Sequence, residues 1–161
     1  VVLAGLGGWA LRGLEAPAVA SAPQVVMPAG YQVVSLAQSA DPNRVLLHLD
    51  SAAPARMQAV LDEAEHLLDE AAREGQAIEL EIVANSRGLD LLRGDVSPHA
   101  ARIARLRARH HSLQLVACGQ TIARFRKEGE KVELLPAVRT APTALGEIVE
   151  RLQQGWTYVR V

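Results

Sequence analysis

From residue 43 onward the chain alternates short apolar runs with longer amphipathic stretches, and this alternation limits the possible folds more than any other feature. Short apolar runs are typical of buried strands, and helically spaced apolar residues are typical of helices packed on them. The segments predicted to be extended are residues 44–49, 77–84, 113–117 and 156–161, with shorter pieces at 132–135 and 137–139. The segments predicted to be helical are residues 54–73, 97–109, 122–127 and 142–153, with a helical turn at 89–92. The order predicts an α/β domain in which a mostly parallel sheet of about five strands carries helices on both faces.

Proline and glycine residues indicate where these helices begin and end. Ser97 followed by Pro98 suits the cap and the first position of a helix, and Pro142 is expected to begin the last one. Gly75 and Gly129 are expected to end the first and third helices, because glycine readily adopts the backbone conformations that follow a helix.

The composition argues against several functional classes. With 161 residues, of which 49% are hydrophobic, the chain is long and apolar enough for a packed core. A net charge of −1 and an aromatic content of 3% argue against nucleic acid as a partner. The only cysteine, Cys118, can form neither an intrachain disulfide nor a cysteine-rich zinc site. We therefore predict no nucleic-acid partner, no metal site and no cofactor.

The segment before residue 43 differs in composition from the rest of the chain. Residues 1–15 are mostly apolar, and the uncharged part, residues 1–11, would cover only about half of a ~30 Å hydrocarbon layer. This segment is predicted to be the end of a signal peptide or of an uncleaved membrane anchor. Residues 16–42 contain prolines at positions 17, 23 and 28 and are predicted to form a linker or arm. A periplasmic or membrane-anchored protein facing the periplasm is favoured, with a cytoplasmic protein as the alternative.

Two motifs in this first segment have a more specific interpretation. Residues 5–10 (GLGGWA) match the glycine-rich pattern of dinucleotide-binding folds. The following residues are rich in alanine and proline and supply no second strand ending in an acidic residue, so a dinucleotide site is not predicted. Residues 31–36 are predicted to add an edge strand or to pack as an arm.

Cys118 lies between a predicted strand and the helical stretch that follows it. A thiol at this position faces a helix N-terminus, where the backbone N–H groups of residues 119–121 and the helix dipole favour the thiolate. The loops at residues 50–51, 85–87 and 118–121 are expected at the carboxyl ends of the strands, where α/β proteins bind ligands. The cysteine is therefore either a reactive nucleophile or a small buried hydrophobic residue.

Several other side chains have both a functional and a structural interpretation. Gly119 would let the backbone approach an anion, and Thr121 is expected to cap the helix rather than to contact substrate. His48 ends the first predicted strand, where it is either a general base or donor for the cysteine or a histidine with satisfied hydrogen bonds. Trp156 and Tyr158 are expected to pack in the core or between subunits.

The remaining histidines and a run of arginines suggest no site of their own. His110 and His111 are adjacent and project apart, so they make a poor metal pair. His66 and His99 are expected at the surface. One predicted helix is strongly basic, because it carries the arginines at 102, 105, 107 and 109. Its basic side is interpreted as a solvated, ion-paired face or, alternatively, as a surface for an acidic partner.

Four stretches of the chain resemble motifs of the DsrE/DsrF-like superfamily of small sulfur-relay proteins. They are residues 45–50 (VLLHLD), 82–85 with 88–92 (IVAN and GLDLL), 115–122 (LVACGQTI) and 153–159 (QQGWTYV). Pro142 and Glu147 fit the helix before the last of these. The order and spacing of the motifs carry the resemblance, which covers residues 43–161 and is strongest to single-domain, often exported members.

The resemblance implies a flavodoxin-like α/β domain that forms a homo-oligomer, either a trimer or a hexamer. It also implies that Cys118 carries sulfane sulfur as a persulfide, exchanged with donor and acceptor proteins. Two functions follow: a sulfur-relay or sulfurtransferase-type carrier, and a non-catalytic assembly subunit tethered to a membrane complex by residues 1–15. The residues expected to bind the anion or substrate are Gly119, Gln120, Thr121, His48 and Asn85.

Overall fold

The structure is a computed structural model, and it describes residues 40–161. The predictions for residues 1–15, for the glycine-rich motif at 5–10, for most of the linker and for the strand at 31–36 lie outside the described residues.

Five strands form one sheet, and the predicted α/β class is confirmed. The strands are β1 (Asp41–Leu49), β2 (Glu79–Ala84), β3 (Leu113–Cys118), β4 (Val138–Ala141) and β5 (Trp156–Arg160). The helices are α1 (Pro54–Glu74), α2 (Ala100–Arg109), α3 (Gly119–Lys127) and α4 (Ala144–Gln153), with a 3₁₀ turn over Ser86–Leu92 between β2 and α2. The strand order is β4-β3-β2-β1-β5, and every neighbouring pair is parallel.

The strand order places helices on both faces of the sheet. From β1 to β4 the chain steps one way across the sheet, and the connection from β4 to β5 runs back over it. Right-handed crossovers therefore put α1, α2 and α3 on one face and α4 alone on the other. On that second side, here called the α4 face, Leu46, Val83, Val116 and Cys118 share a core cluster with Ala144 of α4. The larger cluster on the opposite face contains residues of α1 and α2.

The first helix has the boundaries that its sequence indicates. Pro54 lies in its first turn, where a missing N–H costs nothing. Gly75 ends the helix in the left-handed region at φ 67°, and its N–H donates to the carbonyl of Ala72. Gly129 likewise follows α3 with φ 86°.

The starts of three helices differ from the sequence-based expectations. Helix α2 begins at Ala100 rather than at Pro98, because the Ser97 hydroxyl donates to the carbonyl of Leu91 (2.6 Å) and accepts from the N–H of His99 in a local turn. Helix α4 begins at Ala144 rather than at Pro142, since Thr143 caps it by accepting from the N–H of Gly146 (2.9 Å). Helix α3 begins directly after the cysteine, at residue 119 rather than 122.

Residues 132–135, predicted to be extended, do not join the sheet. Leu134 forms one antiparallel bridge with Arg93 at the end of the 3₁₀ turn. The N–H of Leu135 donates to the carbonyl of Leu92 (2.9 Å), and the guanidinium of Arg93, which is 4% exposed, donates to the carbonyl of Lys131 (2.7 Å). The chain just before this segment thus supplies one of the acceptors that the buried arginine needs.

Gly88 lets the 3₁₀ turn approach the end of β1. A Cβ at this position would lie 2.3 Å from the carbonyl oxygen of Leu49. Since no side chain fits in that space, glycine is required where the turn crosses the strand.

Within residues 40–161, none of the helices combines the length and the apolar character needed to cross a bilayer.

Candidate functional site

Cys118 is the last residue of β3 and the residue immediately before α3. In the parallel register Ala117 pairs with Ala84, so Asn85 and Cys118 follow at the same level on adjacent strands. On the other side Cys118 pairs with Ala141, the last residue of β4. The thiol points to the α4 face, close to the first turn of α4. The sheet thus brings together the ends of β2 and β3, as the sequence predicts, and adds the end of β4, which was not anticipated from the sequence.

These elements enclose an open, largely polar cleft of about 440 Å³. Cys118 lies in its wall and is 5% exposed. The other lining residues come from the loop after β2, from α3 and from the start of α4: Asn85, Ser86, Gln120, Thr121, Arg124, Thr143, Ala144 and Leu145.

The environment of the thiol favours its ionised form. Burial, the largest single influence, raises the pKa of Cys118, but hydrogen bonds to the sulfur together lower the pKa below its ordinary value. The groups that lower the pKa are the hydroxyl and N–H of Thr121 and the N–H groups of Ala144 and Gln120. Two helix N-termini therefore converge on one sulfur atom. The sequence indicates the donors in α3, whereas the one in α4 becomes adjacent only in the folded sheet.

Gly119 allows α3 to begin close to the loop that precedes α4. A Cβ at this residue would lie 3.0 Å from the carbonyl oxygen of Ala141 and 3.3 Å from that of Pro142. The N–H of Gln120 donates to the Pro142 carbonyl (3.1 Å), so this N–H stabilises the thiolate less than an unshared donor would. The absence of a side chain at residue 119 thereby allows the start of α4 to lie next to the thiol.

Thr121 links the cysteine to the loop after β2. The expected helix-capping role is wrong, because Cys118 itself occupies the cap position and no side chain caps α3. Thr121 is buried, and its hydroxyl accepts from the N–H of Ser86 (3.1 Å) and lowers the pKa of Cys118. Ser86 has φ 47°, an uncommon conformation for a residue with a side chain, which this hydrogen bond helps to hold.

His48 reaches the cleft only through Asn85. Its Nε2 lies 3.0 Å from Asn85 Oδ1, and its Nδ1 lies 2.9 Å from the hydroxyl of Tyr158. The histidine does not itself line the cleft. Tyr158, expected to pack in the core or between subunits, does not pack in the core, because 37% of the residue is exposed and its hydroxyl faces the histidine. The register that pairs Leu46 with Tyr158 produces this contact.

Several of the other charged residues singled out in the sequence have structural partners. Arg102 donates to Glu65 (2.8 Å) and Arg109 also pairs with it, so the basic side of α2 is an ion-paired face. His110 Nε2 lies 2.6 Å from an oxygen of Asp69. No group of residues able to hold a metal ion occurs in the part of the chain that the structure describes.

A buried charged cluster on the α4 face was not anticipated from the sequence. Glu81 of β2 is fully buried, and Arg151 and Arg139 donate to its Oε2 at 2.8 Å and 3.3 Å. Arg139 also donates to Glu147 (2.6 Å), whose pKa it lowers, whereas burial raises the pKa of Glu81. The guanidinium of Arg151 lies 4.7 Å from the Trp156 ring centroid. The cluster ties α4 to the sheet and so helps to fix its N-terminus at the cysteine.

Comparison with known proteins supports the fold. No family model matches the chain, and no curated protein matches it. Among solved structures, the chain is similar to MTH1491 from Methanobacterium thermoautotrophicum, a protein of unknown function, with 27% sequence identity and a TM-score of 0.62. The similarity covers 73% of this chain and 98% of that one. The α/β domain with its parallel sheet thus has a solved structural neighbour.

Proposed function

We propose that the protein carries sulfane sulfur as a persulfide on Cys118 and acts as a sulfur-relay or sulfurtransferase-type protein. The observation that carries the proposal is a thiol of lowered pKa in the wall of an open polar cleft. A thiolate is the nucleophile in sulfur transfer, and such sites combine a lowered pKa with access for a reactant. The resemblance of residues 43–161 to the DsrE/DsrF-like superfamily points to the same chemistry.

The proposed loading step needs only the thiolate and a sulfane donor. The Cys118 thiolate attacks the outer sulfur of thiosulfate, a new S–S bond forms, the bond to the sulfonate sulfur breaks, and sulfite leaves with the electron pair. An acceptor thiolate then attacks the outer sulfur of the persulfide, which forms the acceptor's persulfide and restores the Cys118 thiolate. Neither step requires an oxidant, a metal or a cofactor, because charge and electrons balance within the exchange.

The cleft suits the anion that this step produces. A persulfide extends the side chain by one sulfur atom and places the charge on that atom. The helix N-termini that favour the thiolate also favour an anion in this space, and Arg124 adds a cation to the lining. Ser86 and Thr143 make the same wall polar.

Intact-protein mass spectrometry tests the proposal. The full-length protein is incubated with polysulfide, or with thiosulfate and a sulfurtransferase, beside the Cys118→Ala variant. Wild type is expected to gain the mass of one sulfur atom and to lose it on reduction, whereas the variant is expected to gain none. Since the chain has a single cysteine, an adduct on the variant would place the sulfur elsewhere. No adduct on the wild type, with a thiol that also resists alkylation, would reject the carrier function.

The second candidate is a non-catalytic assembly subunit. The observation in its favour is that, among the elements of residues 40–161, α4 alone covers one face of the sheet, while Leu145, Val149, Tyr158 and Val159 are exposed on α4 and β5. Exposed apolar residues of this kind suit contacts with other subunits, including a homotrimer or homohexamer. Light scattering of the full chain and of Leu145→Asp would test this: a stable oligomer that dissociates in the variant supports it, and a monomer in both contradicts it.

A further inference from the structure

We propose that the side-chain amide of Asn85 is a hydrogen-bond donor to the anionic group that reacts at Cys118, and that His48 and Tyr158 are the positioning residues that orient this amide. Under the proposed function, on which this inference rests, that group is the outer sulfur of the persulfide or the anionic end of the sulfur donor.

The hydrogen bonds determine which way each group faces. Asn85 Oδ1 can only accept, so His48 Nε2 must carry the proton and donate to it across 3.0 Å. In the neutral ring Nδ1 is then the acceptor, and the Tyr158 hydroxyl donates to it across 2.9 Å. The chain Tyr158 to His48 to Asn85 thus holds the amide oxygen away from the cleft.

The other end of the same planar amide is the Nδ2 group, which carries two N–H donors. Among residues 40–161, no acceptor pairs with this group, while Asn85 forms part of the cleft lining. The parallel register sets Asn85 beside Cys118 at the ends of adjacent strands. An anion attached to the cysteine would therefore lie in the cleft that Asn85 also lines.

The backbone around Asn85 is held independently of any ligand. Its N–H donates to the carbonyl of Leu49 (3.1 Å), and the next residue, Ser86, is in the left-handed region with its N–H bound to Thr121. Such local strain is maintained only where the surroundings determine the backbone. The turn therefore presents the amide on a rigid support, as an anion-recognising group requires.

A pair of alkylating reagents tests the inference at the single cysteine. Iodoacetate is an anion and iodoacetamide a neutral molecule of similar size, so the ratio of their second-order rate constants measures anion recognition in the cleft. Asn85→Ala is expected to lower the ratio of the iodoacetate rate to the iodoacetamide rate by about tenfold, the effect of one charge-assisted hydrogen bond. A change that merely disturbed the fold would alter both rate constants alike.

Variants of the positioning residues make the test specific. His48→Leu is expected to lower the ratio nearly as far as Asn85→Ala, whereas His48→Gln is expected to restore most of it, because the glutamine amide can still donate to Asn85 Oδ1. Tyr158→Phe is expected to lower the ratio about twofold to threefold, since the ring keeps its bond to Asn85 but loses the partner that sets its tautomer. An unchanged ratio in Asn85→Ala, or equal ratios in the two His48 variants, would overturn the inference.

The same proteins separate this inference from the proposed function. If wild type acquires sulfur and the ratio is the same in every variant, Cys118 carries sulfur and the inference fails. If wild type acquires no sulfur while the ratio falls as expected, the sulfur-carrier function fails and an anion-recognising Asn85 stands.

Discussion

The hydroxyl of Thr121 contributes directly to the ionisation of Cys118, so removing it should raise the pKa of the thiol. Thr121→Val keeps the size and β-branching of the side chain but deletes the hydroxyl that lowers the pKa of the thiol and accepts from the N–H of Ser86. The N–H donors from α3 and α4 remain, so the change isolates one of several hydrogen bonds.

The expected magnitude follows from the hydrogen bonds that are lost. A hydrogen bond to a charged group contributes about 1.5–3 kcal/mol, and one pKa unit corresponds to about 1.4 kcal/mol. Because the hydroxyl is shared with Ser86, the lower end applies, and we expect the thiolate to lose about 1.5 kcal/mol of stabilisation, which raises the pKa of Cys118. At a pH well below the thiol pKa, the thiolate fraction should fall about tenfold. The unpaired N–H of Ser86 should also cost about 1–2 kcal/mol of the free energy of unfolding.

The pH dependence of alkylation by iodoacetamide measures the thiol pKa. The rate constant should reach a similar plateau at high pH in both proteins, with the midpoint higher in Thr121→Val. Thr121→Ser keeps the hydroxyl and is the matched control, with a midpoint close to that of wild type. Equal midpoints in wild type and Thr121→Val, or an equal rise in both variants, would refute the assignment of the hydroxyl as a donor to the sulfur.

Further predictions concern the supports of the site. Gly88→Ala should destabilise the fold by about 2–3 kcal/mol in urea unfolding, because its Cβ would lie 2.3 Å from the Leu49 carbonyl oxygen. Gly94→Ala, whose Cβ would meet its nearest atom at 3.7 Å, should have little effect, and equal losses in the two would contradict the steric argument. Glu147, whose pKa Arg139 lowers, stabilises the folded state above the unfolded pKa near 4.5, and this contribution is lost as the pH falls through the folded-state pKa. Glu147→Gln should therefore lower the free energy of unfolding by about 2 kcal/mol at pH 7, less than for a fully buried pair because Arg139 is half exposed. The difference in stability between this variant and wild type should shrink on acidification. A difference that stays constant with pH would exclude Glu147 as the titrating group. Burial raises the pKa of Glu81, so its ionisation at higher pH destabilises the folded state. Wild type should therefore gain stability relative to Glu81→Gln as the pH falls.

The alternation of strands and helices, and with it the position of Cys118, could be predicted from local sequence patterns. Strand and helix periodicities are properties of short stretches, and they sufficed to place the cysteine where β3 passes into α3. They failed where a side chain had a local alternative partner. Ser97 and Thr143 both precede helices, but only Thr143 accepts from the N–H of the helix that follows it.

The sequence by itself determined the parallel α/β class, the α1 boundaries and the thiol at a strand end, because these depend on residues close together in the chain. Only the tertiary structure decided what surrounds the thiol. The donor from α4, the path from Tyr158 through His48 to Asn85, and the burial of Glu81 between two arginines each join residues of different strands or helices. Strand order and register bring these residues together, and both are set by the packing of the whole sheet rather than by any local pattern.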